Sequence, residues 1–304
     1  MITESQIIKY KIRRNFEMSK IAWIGTGVMG ASMAKNLLKH GHEVYLFNKT
    51  LTKAERVKNE AGGVVCTTIK ETVQDVDYIF TIVGYPNDVE EVYIAENGIL
   101  KNAKRGALAI DMTTSKPSLA KTIYNEGKKL GVRIMDAPVS GGDTGARNAT
   151  LSIMVGGDQQ DFDEVKPLLD CMGKNVVYLG PAGNGQHTKA ANQIAVAGAT
   201  AAMTEAIVYA INVGLDPQKM LEAIGAGAAG SWQIANMAPR VLRDDLGPGF
   251  FIKHFIKDMK IIKDEMSERG ISLEMLNTVL GQYEQMAQMG FQDNGTQALI
   301  KLYK

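Results

Sequence analysis

Cysteine is almost absent from this chain of 304 residues, which contains only Cys66 and Cys171. The two lack the spacing of a metal site or of a redox-active pair, so we predict neither a bound metal nor a disulfide chemistry. Free thiols are typical of a reducing compartment, and the cytoplasm is therefore the expected location.

A strong charge excess and a long apolar run are also missing. Thirty-four basic and 33 acidic residues leave a formal net charge of +1, which gives no electrostatic basis for binding nucleic acid. The alanine-rich run at 194–202 is broken by Thr200, Thr204 and Glu205, short of the roughly 18 apolar residues of a membrane span. Neither a nucleic acid nor a membrane is expected as a partner.

The remaining pattern predicts two domains after a short N-terminal extension at residues 1–18. Over 19–180, short β-rich runs alternate with helical stretches, as in a parallel sheet covered by helices. A glycine-rich turn at 180–185 marks the boundary, and 181–304 has helical periodicity. The expected fold is an α/β Rossmann-type N-terminal domain followed by an all-α C-terminal domain, joined by a long helix over 186–213. The predicted strands are Ile21–Ile24, Glu43–Phe47, Val64–Cys66, Tyr78–Val83, Leu108–Asp111, Arg133–Asp136, Leu151–Val155 and Val176–Leu179. The predicted helices include 117–130 in the first domain and 231–242 in the second.

The first predicted strand runs into a glycine-rich loop. Gly25, Gly27 and Gly30 occupy the first, third and sixth positions of this loop, and Val28 and Met29 lead into a helix. Glycines at this spacing let the backbone turn tightly and approach a pyrophosphate, which the helix N-terminus then binds through free N–H groups. The alternative is a merely structural turn. Because both the strand and the helix are present, we predict a dinucleotide site here.

The end of the second predicted strand bears on which dinucleotide is bound. An NAD site usually has a carboxylate there for the ribose hydroxyls, whereas this chain has Asn48, Lys49 and Thr50. A cation and a hydroxyl suit a 2′-phosphate, so we favour NADP (NADPH) over NAD as the cofactor. The alternative, in which Lys49 and Lys53 belong to a solvated turn, leaves the preference open.

Two further loops follow predicted strands of the same domain. Ser140, Gly141 and Gly142 could offer a hydroxyl and backbone N–H groups to a small carboxylate, or form a turn that needs glycine for positive φ. Thr113 closes another strand at the carboxyl edge of the sheet. Its hydroxyl is suited to contact a nicotinamide or to cap the next helix.

Lys189 is the candidate proton donor. It lies just after the predicted boundary, on an otherwise uncharged helical stretch, with Asn192 at i+3 on the same face. A lysine on a helix is usually a solvated charge, but an ammonium held in a dry cleft is suited to protonate a carbonyl oxygen. Phe250, Lys257 and Asp258 form a last cluster, which either closes the site or belongs to an ordinary amphipathic helix.

These motifs, in this order, resemble the β-hydroxyacid dehydrogenase family over nearly everything from Ser19 onward. The resemblance rests on the segments 25–30, 136–142, 185–192 and 257–258. It implies Lys189 as catalytic acid/base, Ser140, Gly141 and Gly142 on the substrate carboxylate, and Asn192 as a substrate-orienting residue. It also implies that Val83, Thr113 and Lys257 lie near the cofactor, and that Phe250 and Asp258 complete the pocket. Where Lys49 stands, an arginine is common in the NADPH-dependent branch, and lysine cannot grip phosphate in a bidentate manner.

The sequence therefore favours an NADP-dependent reductase of a small carboxylate-bearing aldehyde or 2-oxo acid, acting in reverse as a β-hydroxyacid dehydrogenase. An NAD-dependent 3-hydroxyisobutyrate dehydrogenase and an imine reductase are alternatives, as is a sugar-phosphate dehydrogenase, which has a much longer helical domain. A non-catalytic dinucleotide-binding interaction module is the alternative from another class, and it usually loses the lysine. The apolar helices of the second half also predict a homo-oligomer.

Overall fold

The computed structural model describes residues 18–303. The chain forms two compact units, the first ending at Lys189 and the second beginning at Ala190. This division falls inside a helix, and the predicted domain boundary between residues 180 and 181 stays a prediction. The predicted N-terminal extension, residues 1–18, lies outside the described residues except for Met18.

A six-stranded sheet forms the centre of the first unit, and all of its strands are parallel. The strand order is β3-β2-β1-β4-β5-β6, so the direction of the chain across the sheet reverses between β1 and β4. Open α/β sheets bind ligands beyond the carboxyl ends of the strands at such a reversal. The strands are β1 (Lys20–Ile24), β2 (Glu43–Phe47), β3 (Val64–Val65), β4 (Tyr78–Thr81), β5 (Leu108–Asp111) and β6 (Arg133–Asp136).

Helices cover both faces of this sheet, and the strand residues alternate between two apolar clusters. In β1, Ile21 and Trp23 pack into one cluster while Ala22 and Ile24 pack into the other. A strand buried on both faces reads as a continuous apolar run, which is why the sequence pattern identified it. The helices of the first unit, including two that lie against other elements than this sheet, are α1 (Val28–Lys39), α2 (Leu51–Ala61), α3 (Ile69–Val73), α4 (Pro86–Ile94), α5 (Ile99–Asn102), α6 (Pro117–Leu130), α7 (Gly142–Arg147) and α8 (Gln159–Asp170).

The expectation of one parallel sheet was incomplete, because three strands form a second sheet. These are β7 (Val139–Ser140), β8 (Leu151–Val155) and β9 (Gly173–Tyr178). The pair β7 and β8 is antiparallel, while β8 and β9 are parallel. A two-residue strand is too short to produce an alternating pattern, so β7 was missed.

Five predicted strand ends were also wrong. The strand predicted over Ile21–Ile24 begins at Lys20, and the strand predicted over Val176–Leu179 ends at Tyr178. The strand predicted over Val64–Cys66 ends at Val65, and β9 begins at Gly173 rather than at Val176. The strand predicted over Tyr78–Val83 ends at Thr81. The Val83 amide donates to the Thr113 side chain instead of to a neighbouring strand, which accounts for the last difference.

The long helix α9 (Asn184–Asn212) continues from the first unit into the second. It is long and apolar enough to cross a membrane by length and composition, although 33% of its most apolar stretch is buried. The core helix of a globular protein passes the same test. Its buried residues Ala197, Met203 and Ile207 belong to the apolar clusters of the second unit.

The second unit is helical over its described residues. Its elements after α9 are α10 (Pro217–Gly225), a π-helical turn (Gln233–Met237), α11 (Ala238–Leu242), α12 (Ile252–Ser267), α13 (Glu274–Gln288) and a 3-10 helix (Thr296–Tyr303). The single helix predicted over 231–242 is interrupted because Pro239 has no N–H to donate to the preceding turn. The Rossmann-type first part and the helical second part confirm the predicted fold class.

Candidate active site

Two glycines of the loop after β1 are required by packing. Gly25 has φ +100°, and a β-carbon there would collide with the carbonyl oxygen of Ile82. A β-carbon on Gly30 would collide with the carbonyl oxygen of Gly25. These two glycines therefore allow the loop, β4 and the first turn of α1 to approach one another closely.

Gly27 has a different role, because the protein itself does not require a glycine there. Its φ of −68° is ordinary, and no described residue outside its own stretch of chain lies within 4 Å of where its β-carbon would be. Within the described chain, α1 has no acidic residue in its first turn and no side-chain cap. The open space and the free N–H groups at Val28, Met29 and Gly30 fit the pyrophosphate of a dinucleotide.

The loop after β2 is held against the glycine loop. The Thr26 amide donates to Asn48 Oδ1 over 3.0 Å, and Asn48 Nδ2 donates to the carbonyl oxygen of Thr50 over 2.9 Å. Asn48 thus joins the two loops that would surround an adenosine. The hydroxyl of Thr50 is not used as the cap of α2 in the described structure.

Lys49 extends from this loop and is 57% exposed. Its ammonium lies 2.6 Å from Glu91 Oε2 and 3.5 Å from Asp88 Oδ1, both on α4. The hydrogen bond with Glu91 raises the pKa of Lys49 above its usual value. Lys49 is therefore an exposed cation with acidic neighbours, and the solvated-turn alternative stays open.

A buried network occupies the carboxyl ends of β4 and β5. Asp111 Oδ1 accepts from the Thr81 hydroxyl over 2.9 Å and from the Thr113 amide over 3.0 Å. The Thr113 hydroxyl oxygen accepts from the Val83 amide over 2.9 Å. Burial raises the pKa of Asp111 to about 6. Thr113 does not cap α6, whose N-cap residue is Lys116.

The segment Ser140 to Gly142 leads from β7 into the short helix α7. Gly141 has φ +129° and Gly142 has φ +63°, so both adopt backbone that favours glycine. The turn interpretation therefore holds at these two positions, while carboxylate binding stays a prediction. Asn36, on the buried face of α1, donates from Nδ2 to the carbonyl oxygen of Ala146 over 2.8 Å and fixes α7.

The start of α9 is fixed by Asp136 at the end of β6. Its carboxylate accepts from the Gly183 amide over 2.7 Å and from the Gln186 amide over 2.8 Å. A β-carbon on Gly185 would meet the carbonyl oxygens of Met154 and Asp136, so the helix begins in close contact with the strands. Burial raises the pKa of Asp136 to about 6.

Lys189 lies on α9 one turn after Asp136 caps it, and its side chain is buried, with 6% exposed. Sequence reasoning did not identify Gln186, the residue whose side chain ties this first turn to the loop after β5. Gln186 Nε2 donates to the carbonyl oxygen of Thr113, and Oε1 accepts from the Ser115 amide. The one available signal was an amide residue inside the segment 185–189.

In the second unit, a hydrogen-bonded chain joins four side chains. Asn192 Nδ2 donates to Gln193 Oε1 over 2.8 Å, and Gln193 Nε2 donates to Asp258 Oδ2 over 2.7 Å. Asp258 Oδ1 forms an ion pair of 3.0 Å with Lys257. Gln193 was also missed by sequence reasoning.

Phe250 is half-buried and precedes α12. Its ring contacts that of Phe255 edge to face at 5.6 Å. The backbone carbonyl of Phe250 accepts from the Thr296 amide. These contacts belong to the packing of the second unit, so a role of Phe250 toward substrate stays a prediction.

Within each unit, the structure brings part of the predicted set together. The glycine loop contacts Asn48, and Val83 contacts Thr113, in the first unit. In the second, Asn192 is linked through Gln193 to Asp258 and Lys257. Among residues 18–303, no cluster of three or more His, Cys, Asp or Glu side chains is placed to hold a metal ion.

Comparison with known proteins covers both units. Residues 20–180 match the family described as the NAD binding domain of 6-phosphogluconate dehydrogenase. Residues 183–303 match the family described as NAD-binding of NADP-dependent 3-hydroxyisobutyrate dehydrogenase. Together, the two matches span nearly all of the described chain.

Whole proteins of similar length are also related. An uncharacterized oxidoreductase of Bacillus subtilis is 48% identical over 93% of this chain and 98% of its own. The 2-hydroxy-3-oxopropionate reductase of Escherichia coli is 37% identical over 85% of this chain and 87% of its own. The structure of 3-hydroxyisobutyrate dehydrogenase of Mycobacterium tuberculosis with L-serine superimposes with a TM-score of 0.85, at 29% identity, over 93% of this chain and 98% of that one. The chain belongs to the β-hydroxyacid dehydrogenase family, whose members are NAD(P)-dependent oxidoreductases that act on CH–OH groups.

Proposed function

We propose that this protein is an NADPH-dependent reductase of a small carboxylate-bearing semialdehyde or 2-oxo acid, and that it oxidises the corresponding hydroxy acid in reverse. The observation that carries the proposal is the burial of Lys189 on a helix anchored to the carboxyl edge of the sheet. Ligands of open α/β sheets bind at this edge, so a lysine buried there is placed where proton transfer to a substrate is needed.

The preference for NADPH rests on the loop after β2. Asn48, Lys49 and Thr50 place a cation and a hydroxyl where an NAD site usually has a carboxylate. Glu91 and Asp88 act against this preference because they pair with Lys49. NAD is the alternative cofactor, and that pair is the observation that favours it.

The chain's own residues suit the remaining chemistry. A bound reduced nicotinamide supplies a hydride to the substrate carbon. Lys189 donates a proton to the carbonyl oxygen as that oxygen gains negative charge. The backbone amides and hydroxyl of residues 140–142 hold the substrate carboxylate. Asn192 orients the reacting group, and its own amide is held in place by Gln193.

Self-association and a cytoplasmic location are also proposed. Large apolar side chains are exposed at the end of α9 and beyond it, and covering them would remove apolar surface from water. They are Tyr209, Ile211, Val213, Leu215 and Trp232. The buried free thiols of Cys66 and Cys171 suit a reducing compartment.

A coenzyme oxidation screen tests the proposed function. The purified protein is mixed with NADPH or NADH and with glyoxylate, succinic semialdehyde, methylmalonate semialdehyde or a cyclic imine, and coenzyme absorbance is followed. We expect turnover with at least one aldehyde acid, faster with NADPH. Turnover of the cyclic imine alone would assign an imine reductase instead, and coenzyme binding without any turnover would favour the non-catalytic module.

A further inference from the structure

Gln186 uses both ends of its side-chain amide on a single loop. The residue is 2% exposed. Its Nε2 donates to the carbonyl oxygen of Thr113 over 2.7 Å, and its Oε1 accepts from the Ser115 amide over 2.9 Å. The side chain thus pairs with the loop backbone as a neighbouring strand would, and leaves neither polar end unsatisfied.

This contact is separate from the capping of α9. The carboxylate of Asp136 accepts from the backbone amides of Gly183 and Gln186 and so satisfies the helix start. The side chain of Gln186 has no part in that cap. Its effect is to fix the loop after β5 to the first turn of α9.

The two segments that Gln186 joins carry two of the predicted site residues. Thr113 belongs to the loop, and its hydroxyl oxygen accepts from the Val83 amide. Lys189 follows Gln186 by three residues, so both side chains lie on the same face of α9. The rotation of the helix about its axis therefore determines where the amine of Lys189 lies relative to Thr113.

Because the lysine side chain is long, a small rotation of the helix moves its amine a considerable distance. A lysine amine reaches roughly 8 Å from the helix axis, so a rotation of about 20° would move it by roughly 3 Å. A displacement of about 1 Å in a reacting group can already cost about 100-fold in rate. One side chain that prevents the rotation can therefore matter to turnover without touching substrate.

We infer that Gln186 is a positioning residue. By hydrogen-bonding to the backbone of Thr113 and Ser115, its side-chain amide fixes the position of Lys189 relative to the loop after β5. The inference rests on the proposed role of Lys189 as proton donor. It concerns turnover more than coenzyme affinity, since the Gln186 side chain bonds to the backbone of the loop after β5 and not to the glycine loop that would bind the pyrophosphate.

The test is a double-mutant cycle with Gln186→Met and Lys189→Met in the full-length protein. We expect Gln186→Met alone to lower kcat by at least about tenfold, with KM and the Kd of NADPH changed by less than about threefold. In the Lys189→Met background, the same substitution should lower the remaining turnover by less than about twofold, because the residue to be positioned is gone.

Asn102 provides the matched control. Its Nδ2 also bridges two backbone carbonyls, those of Glu96 and Gly98, but it precedes the amino end of β5. Asn102→Leu should lower the melting temperature while leaving kcat within about twofold. Thermal melts of every variant distinguish unfolding of the protein from displacement of Lys189 in a folded protein.

The inference is overturned if Gln186→Met costs the same factor in both backgrounds, or no more than Asn102→Leu. An unchanged kcat in Lys189→Met is a different failure, since it refutes the proposed function itself. If Gln186→Met does not fold, Gln186→Asn enters the same cycle, because it keeps an amide but shortens the reach by one carbon. For Gln186→Asn too, an equal factor in both backgrounds, or a loss no greater than that of Asn102→Leu, overturns the inference.

Discussion

The ammonium of Lys49 lies 2.6 Å from the carboxylate of Glu91, a residue 42 positions further along the chain. Asp88 Oδ1 lies 3.5 Å from the same ammonium, and Asp88 Oδ2 accepts from the Tyr85 amide. The pair brings the loop after β2 against α4. Two carboxylates therefore stand beside the position proposed for a 2′-phosphate, where they compete for its cation.

Removing the charge of Glu91 should shift the preference between coenzymes. In Glu91→Gln, Lys49 loses its nearer charged partner and the repulsion of a 2′-phosphate is reduced, so we expect the Kd of NADPH to fall by about two- to fivefold. The Kd of NADH should change by less than twofold. Fluorescence titration of both coenzymes measures the ratio. The neighbour Glu90 is also exposed, and Glu90→Gln makes the same change in net charge. An equal effect at the two positions would contradict a local role for Glu91.

Substitutions of Gly27 and Gly30, at the N-terminal end of α1, should separate effects on coenzyme binding from effects on folding. Gly27→Ala fills open space at an ordinary φ, so we expect little change in melting temperature but a Kd of NADPH raised by about tenfold or more. Gly30→Ala meets the carbonyl oxygen of Gly25, and it should destabilise the fold by about 1–3 kcal/mol. Thermal melts and coenzyme titrations of both variants are the measurements. Tight NADPH binding by folded Gly27→Ala would rule out the pyrophosphate position.

The buried carboxyl of Asp111 should make stability depend on pH. Burial raises its pKa to about 6 in the folded protein, against about 3.9 when unfolded. The folded state therefore holds the extra proton between those values, and stability is lost as pH rises through the window. Relative to Asp111→Asn, which does not titrate, the wild-type protein should lose up to about 2–3 kcal/mol between pH 4 and 7. Urea unfolding of both proteins across that range measures the difference. A difference that stays constant with pH would contradict the raised pKa.

Features encoded by local pattern could be predicted from the sequence. The glycine loop, β1 and the long helix follow from glycine spacing, from continuous apolar runs and from the lack of helix breakers. The predicted helix 117–130 has the same bounds in the structure, because Pro117 begins it and Gly131 ends it. Each of these signals lies within a single short stretch of chain.

Features that depend on distant partners could not be predicted. Nothing near Lys49 indicates Glu91, and nothing near Gln186 indicates that its amide bonds to the loop at Thr113. The strand β7 has only two residues, too few to show an alternation of apolar and polar side chains. Such contacts are set by tertiary packing, which secondary-structure propensities and hydrophobic periodicity do not describe.

The most direct test of the proposed chemistry is the turnover of Lys189→Met with NADPH and the preferred aldehyde acid. We expect kcat to fall by at least about 100-fold while the Kd of NADPH and the melting temperature stay close to wild type, because the variant loses the proton donor and keeps the glycine loop. Lys121→Met, at an exposed lysine of α6, serves as the control and should leave kcat unchanged. A Lys189→Met protein that turns over at the wild-type rate would contradict the account.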